Sequence, residues 1–91
     1  MSRHTSRKER WSQVSAKEYR AAFGVVRYLK GAWEGTVYYE AWQDDVESPW
    51  QREEAYAGRF KRPRNAMIAV EDKAREISRR QKDMVKVAIE D

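Results

Sequence analysis

Between Trp33 and Trp42 the chain alternates strictly. Trp33, Gly35, Val37, Tyr39 and Ala41 fall on one side of an extended segment, and Glu34, Thr36, Tyr38, Glu40 and Trp42 on the other. This is period two, the pattern of a strand with one face on a core. Upstream, Val25, Val26 and Tyr28 suit a partner strand, and Lys30-Gly31 offers a tight turn whose glycine takes positive φ readily. A helix over 16–30 competes for the same residues. Tyr19, Ala22, Phe23, Val26 and Leu29 also recur at 3.6 spacing, and Gly31 stands where a C′ glycine would. The strand at 33–42 needs partners, which favours the hairpin. Before it, Ser15 and Glu18 have capping-box spacing, which predicts a short helix over 16–22.

Residues 51–57 read as a third strand with Arg52, Glu54 and Tyr56 on one side. The alternative is a short helix capped by Ser48, started by Pro49 and ended at Gly58. From Pro63 onward nothing breaks a helix, and Met67, Val70, Ala74, Ile77, Gln81, Met84 and Ala88 form one row at intervals near three and four. A helix of ~25 residues would reach nearly 40 Å, longer than three strands can cover. Its end, with Met84, Val85, Val87 and Ala88, then either projects toward a second subunit to form a homodimer, or frays or folds back. The predicted fold is α+β: a short N-terminal helix, a three-stranded antiparallel sheet and a long C-terminal helix packed across it. Residues 1–10 read as a flexible basic arm, 11–82 as a single domain and 83–91 as a helix extension or frayed tail.

Charge sharpens this picture. The net charge of +4 divides into +6 over residues 1–33, −6 over 34–54 and +4 over 55–91. A basic–acidic–basic chain of this kind can fold with one positive and one negative face, and positive faces attract phosphate. At 91 residues the chain hides only about 60–65% of its unfolded surface, so the core is thin. There is no cysteine, hence no disulfide framework and no thiolate metal site. No apolar run reaches the ~20 residues of a membrane span, and the N-terminus lacks the apolar stretch of a signal peptide. A cytoplasmic protein that does not meet a membrane is expected.

Catalysis finds few tools. The one histidine, His4, lies in the arm, and Asp44 and Asp45 are adjacent acids in a turn-rich connection. A nucleophile–base pair or a His/Cys metal set is missing from the sequence. No Gly-rich phosphate loop occurs. The reading is a non-catalytic binding protein without cofactor or metal.

The segment "GRFKRPRNAM" carries the main candidate. Arg59, Lys61, Arg62 and Arg64 crowd the start of the C-terminal helix, and no acid follows until Glu71. Cations oppose the helix dipole there, whereas an anionic ligand reverses the sign of each such interaction. Pairing with acids of the 44–54 segment is the structural alternative, with the Arg and Lys stems lying over an apolar edge. Arg75, Arg79, Lys82 and Lys86 lie at helical spacing as a second ridge flanked by Lys73 and Arg80, which ordinary ion pairs with Glu76 and Asp83 also explain. Arg3, Arg7, Lys8 and Arg10 make the arm basic. Four tryptophans and five tyrosines are more than a thin core holds. Tyr38, Trp42 and Trp50 are therefore candidates for stacking bases or anchoring an interface.

The order of elements, a strand meander, then "GRF", then a proline-started helix with "AMIAVEDKARE", resembles small β-β-β-α modules such as the AP2-like arm-binding domains of phage integrases. The likeness covers residues 24–80. It implies DNA contact from the sheet, which would fall on Arg27, Tyr28, Tyr38, Glu40 and Arg52. Glu40, Glu53 and Glu54 depart from a DNA-facing surface and move the expectation to Arg59–Arg64 and the arm. In general character the chain is also similar to phage-encoded inhibitors of the anti-CRISPR type. That likeness implies a nucleic-acid-handling protein complex as partner, met by the acidic Asp44, Asp45 and Glu47. The favoured function is engagement of DNA or RNA through the cationic patch, with the inhibitor and a small dimerising assembly subunit as alternatives.

Overall fold

Ser15 does not cap a helix. In the computed structural model, which describes residues 10–89, its Oγ accepts a hydrogen bond from the Lys17 N–H at 3.2 Å and closes a two-residue turn. Strands β1 (Ser12–Ser15) and β2 (Glu18–Ala21) flank that turn. Glu18, instead of reaching back to an amide, is held by Arg20 and Arg27. The predicted N-terminal helix is thus replaced by a hairpin. A serine three residues before a glutamate serves either structure, and what decides is the alternation of Glu18 and Arg20 with Tyr19 and Ala21.

The meander continues through β3 (Gly24–Leu29), β4 (Ala32–Trp42) and β5 (Trp50–Phe60). The Lys30-Gly31 turn has φ of 50° and 83°, the two positive values that a two-residue hairpin turn demands. The strand order is β1-β2-β3-β4-β5, each antiparallel to the next. Helix α1 (Pro63–Arg80) follows, with Pro63 in its first turn. At 18 residues it is ~27 Å long, and it does not project.

The chain leaves the helix at Gln81 and returns as β6 (Val85–Lys86), antiparallel to β4. The cause lies in strand lengths. β4 has eleven residues and β3 six, so the last backbone groups of β4 lack a partner on that side. β6 supplies it: Ala41 and Glu40 pair with Val85 and Lys86, and the Trp42 N–H donates to the Met84 carbonyl at 2.7 Å. Val85, Val87 and Ile89 alternate with Lys86 and Ala88, a period-two signal overlapping the helical row. The sheet therefore has six strands, not three, and the segment expected to project for dimerisation belongs to it.

One face of the sheet meets α1. Val26, Val37, Ala66, Val70 and Ala74 are wholly buried there, with Trp11, Phe23, Met67, Ile77 and Val85 closing the margins. The close approach depends on two glycines. A Cβ at Gly24 would stand 2.4 Å from the Thr36 carbonyl oxygen and 2.7 Å from Val70 Cγ1, and one at Gly35 would stand 2.6 Å from Val70 Cγ2. Val70 sits in the hollow that these residues leave.

Candidate functional site

The predicted patch is divided by the fold. Between Tyr56 and Gly58 strand β5 carries a bulge, with Gly58 at φ 128°, and past it Arg59 lies opposite Glu34. Arg59 donates from Nη2 to the Lys30 carbonyl at 3.1 Å and, at 3.4 Å, to that of Leu29, so it ties β5 to the β3–β4 turn. Lys61, Arg62 and Arg64 stay together at the start of α1, all exposed. Arg62 is the N-cap, extended at φ −124° and ψ 142°, and no side chain caps the helix. The first turn holds no acid, so its free amides stand beside cations with no negative charge to complement them. Among the described residues these three cations make no ion pair.

Their counter-charges are at the other end of the molecule. Asp44, Asp45 and Glu47 lie exposed in the β4–β5 loop, where Asp45 takes φ 62° and Asp44 accepts a hydrogen bond from Trp42 Nε1 at 2.9 Å. All eleven residues of β5 separate that loop from the patch, ~36 Å of extended chain. The screening length in physiological salt is about 8 Å. Pairing of the patch with the loop acids within one chain is therefore excluded by geometry.

The remaining cations are mostly engaged. Arg10 sits 3.8 Å from Glu71, whose buried carboxylate also accepts from Trp11 Nε1 at 2.8 Å. Arg7 and Lys8 lie outside the described residues. Arg75 pairs with Asp72 at 3.7 Å, and Lys73 and Arg80 flank Glu76 at 3.7 and 3.6 Å. Arg79 is exposed in the last turn of the helix, where a cation complements the dipole. Lys86, expected on the same ridge, is on β6 instead.

The face of the sheet away from the helix carries the three candidate aromatics. Tyr38, Glu40 and Trp42 of β4 register with Glu54, Arg52 and Trp50 of β5. Arg52 covers the Tyr38 ring at 4.9 Å and Lys86 covers Trp50 at 4.1 Å, while Trp42 meets Trp50 edge to face at 5.4 Å. Tyr38, Glu40, Trp50, Arg52, Lys86 and Ala88 line a groove of about 380 Å³, within the size of a small-ligand site. Both rings are already covered by a cation, so a stacking base has to displace Lys86 or Arg52. Tyr28 lies on the opposite face, beside Trp33 at 5.3 Å.

Carboxylates run through this outer face. Glu18 is held below the ordinary carboxylate range, first by its hydrogen bond from Arg20 and then, against a desolvation cost, by Arg27. The Tyr56 phenol is pushed up by desolvation and by its hydrogen bond to Glu34. Glu18 thereby neutralises two cations, Arg20 and Arg27, that would otherwise be open to phosphate. The place of Lys86 over Trp50 and the free edge of β5 are features the sequence reading missed; the alternation of Val85, Lys86 and Val87 was the available signal for the first.

No family model matches the chain, and no match was found among curated proteins or solved structures.

Proposed function

We propose that the protein is a non-catalytic binding module that holds the phosphate backbone of nucleic acid with Lys61, Arg62 and Arg64. The isolation of these three cations carries the reading. They repel one another and the positive end of α1, they make no ion pair among the described residues, and the acids of the β4–β5 loop are a strand length away. A phosphate at this position meets the orphan amides of the first turn and two or three cations at once. The outer sheet face is the weaker candidate, because four carboxylates (Glu18, Glu34, Glu40 and Glu54) are interspersed among its cations.

The test is fluorescence anisotropy with labelled duplex DNA, single-stranded DNA and RNA at about 50 and 200 mM salt. Three phosphate contacts give a log–log salt slope of about −2.7 on a duplex, a loss of roughly 40-fold across that range. The Arg62→Glu/Arg64→Glu variant should lose binding while keeping its circular dichroism spectrum and unfolding midpoint. Absence of binding at the lower salt, or binding that survives the double reversal, overturns the proposal.

A further inference from the structure

The two edges of the sheet are treated differently. β1 is four residues long and bulged at Val14, which blunts it as a pairing template. β5 is eleven residues long, contains neither proline nor lysine, and nothing among the described residues pairs with its outer side. The direction of its peptide groups follows from the ladder. The N–H groups of Tyr38 and Trp42 bond to Phe23 and Met84, on the side of β4 away from β5, whereas Gln43 N–H bonds to Pro49. Even-numbered residues of this part of β4 thus face β3 and β6, and odd-numbered ones face β5. Their partners Gln51, Glu53 and Ala55 point inward, which leaves the N–H and C=O groups of Arg52, Glu54 and Tyr56 directed outward.

Two further observations identify what fits that edge. On the β5 side of α1 a hollow of about 370 Å³ opens between Phe60, Ile68, Ala69 and the flanking Asn65 and Asp72, so apolar surface adjoins the unpaired strand. The strand is also polar along its axis in the electrical sense. Asp44, Asp45, Glu47, Glu53 and Glu54 crowd its first half and the loop before it, and Arg59, Lys61, Arg62 and Arg64 its end and the helix start. A second β5 laid antiparallel beside the first brings each acidic end against the other's basic end, twice by symmetry. A parallel strand, or a partner strand without this charge order, does not.

We infer that two copies of this chain associate through β5, edge to edge and antiparallel, to make one continuous sheet with both helices on the same face. The inference goes beyond nucleic-acid binding and does not depend on it, since it is read from mass and not from affinity for nucleic acid. It draws on the same cations, so nucleic acid and the second copy compete for the basic pole.

Sedimentation equilibrium and light scattering across about 5–300 µM protein at low salt test it. The expected mass rises toward twice the 10.8 kDa of the chain and falls back as salt is raised. Glu54→Pro removes an outward donor and no ladder bond, and should give a folded monomer at every concentration. Asp45→Lys/Glu47→Lys and Arg62→Glu/Arg64→Glu leave the strand untouched. Each pair alone should weaken association at least tenfold, and an equimolar mixture of the two variants should form a heterodimer, because each pole in it again meets a pole of opposite charge. A wild-type chain that stays at 10.8 kDa, or a folded Glu54→Pro variant that still doubles its mass, overturns the inference. Loss of nucleic-acid binding with the dimer intact overturns only the proposed function.

Discussion

The two faces of the sheet are made from the same strands and follow opposite rules. Against α1, the side chains at the centre are small or β-branched and the fit is set by shape: Val70 lies between Gly24 and Gly35, and Val26 and Val37 are sealed from water. On the outer face the same strands present Glu18 with Arg20 and Arg27, Tyr38 with Arg52, and Tyr56 with Glu34, groups that satisfy one another in contact with solvent. One face fixes the fold through contacts that cannot be exchanged. The other contributes little energy per contact and is free to vary, and the unpaired charge is displaced to the two ends of β5.

The largest effect that separates the faces comes from placing a valine at one position or at its neighbour. Gly35→Val drives a branched side chain into Val70 Cγ2 at 2.6 Å and the Ala66 carbonyl oxygen at 3.3 Å, with Ala57 Cβ at 3.5 Å. It should cost about 3 kcal/mol, the upper end of ordinary overpacking. A domain of this size has on the order of 5–10 kcal/mol in total, so the variant should lose a large part of its cooperative urea transition. Thr36→Val, one residue along and on the outer face, should shift stability by about 0.5 kcal/mol or less. Equal midpoints for the two variants contradict the glycine cradle.

Two hydrogen bonds of the same chemistry give the intermediate case. Trp11 Nε1 reaches Glu71 at 2.8 Å among residues almost without solvent, and Trp42 Nε1 reaches Asp44 at 2.9 Å in the exposed loop. Trp11→Phe leaves a buried carboxylate short of a donor and should cost about 1.5–3 kcal/mol. In Trp42→Phe water takes over the acceptor, and the change should stay within about 0.5 kcal/mol. Denaturant midpoints of the two variants measure how much of the difference is burial alone.

These contrasts also explain what the sequence made legible. The strand at 33–42, the Lys30-Gly31 turn, a strand beyond residue 50 and the helix begun by Pro63 each rest on a local pattern that tertiary packing leaves in force. The N-terminal hairpin does not. Ser15 and Glu18 fit two structures equally well in isolation, and the short alternation of Glu18 and Arg20 with Tyr19 and Ala21 decides only because β3 takes it as a second neighbour. The end of the helix was hidden for a related reason: Met84 and Ala88 continue its row, while Val85, Val87 and Ile89 answer a vacancy on β4 that no local pattern records. At the candidate site, the crowding of Arg59, Lys61, Arg62 and Arg64 was visible in one dimension. The bulge that sends Arg59 to another face, and the strand length that separates the cations from Asp44, Asp45 and Glu47, were not. The pairing alternative was open in the sequence because linear closeness of the 44–54 acids says nothing about which end of a strand they occupy.

The smallest effect reports on the outer face by itself. Glu18 is hydrogen-bonded by Arg20 and, at 3.0 Å, by Arg27, and these contacts hold its folded-state pKa below the ordinary value of 4.5. A carboxyl with a depressed folded pKa stabilises the folded chain above its unfolded-state value and loses that contribution as pH falls through the folded one. Glu18→Gln should therefore lower the thermal midpoint slightly at pH 7, and the gap from wild type should close as pH drops below 4.5. High salt should narrow the same gap at neutral pH, because both arginines reach Glu18 through water-exposed geometry. Gly35→Val should show neither dependence, since no charge takes part in its clash. A gap for Glu18→Gln that persisted unchanged at pH 3 and in 1 M salt would mean that Glu18 acts by packing, and the division of labour between the two faces would then not hold.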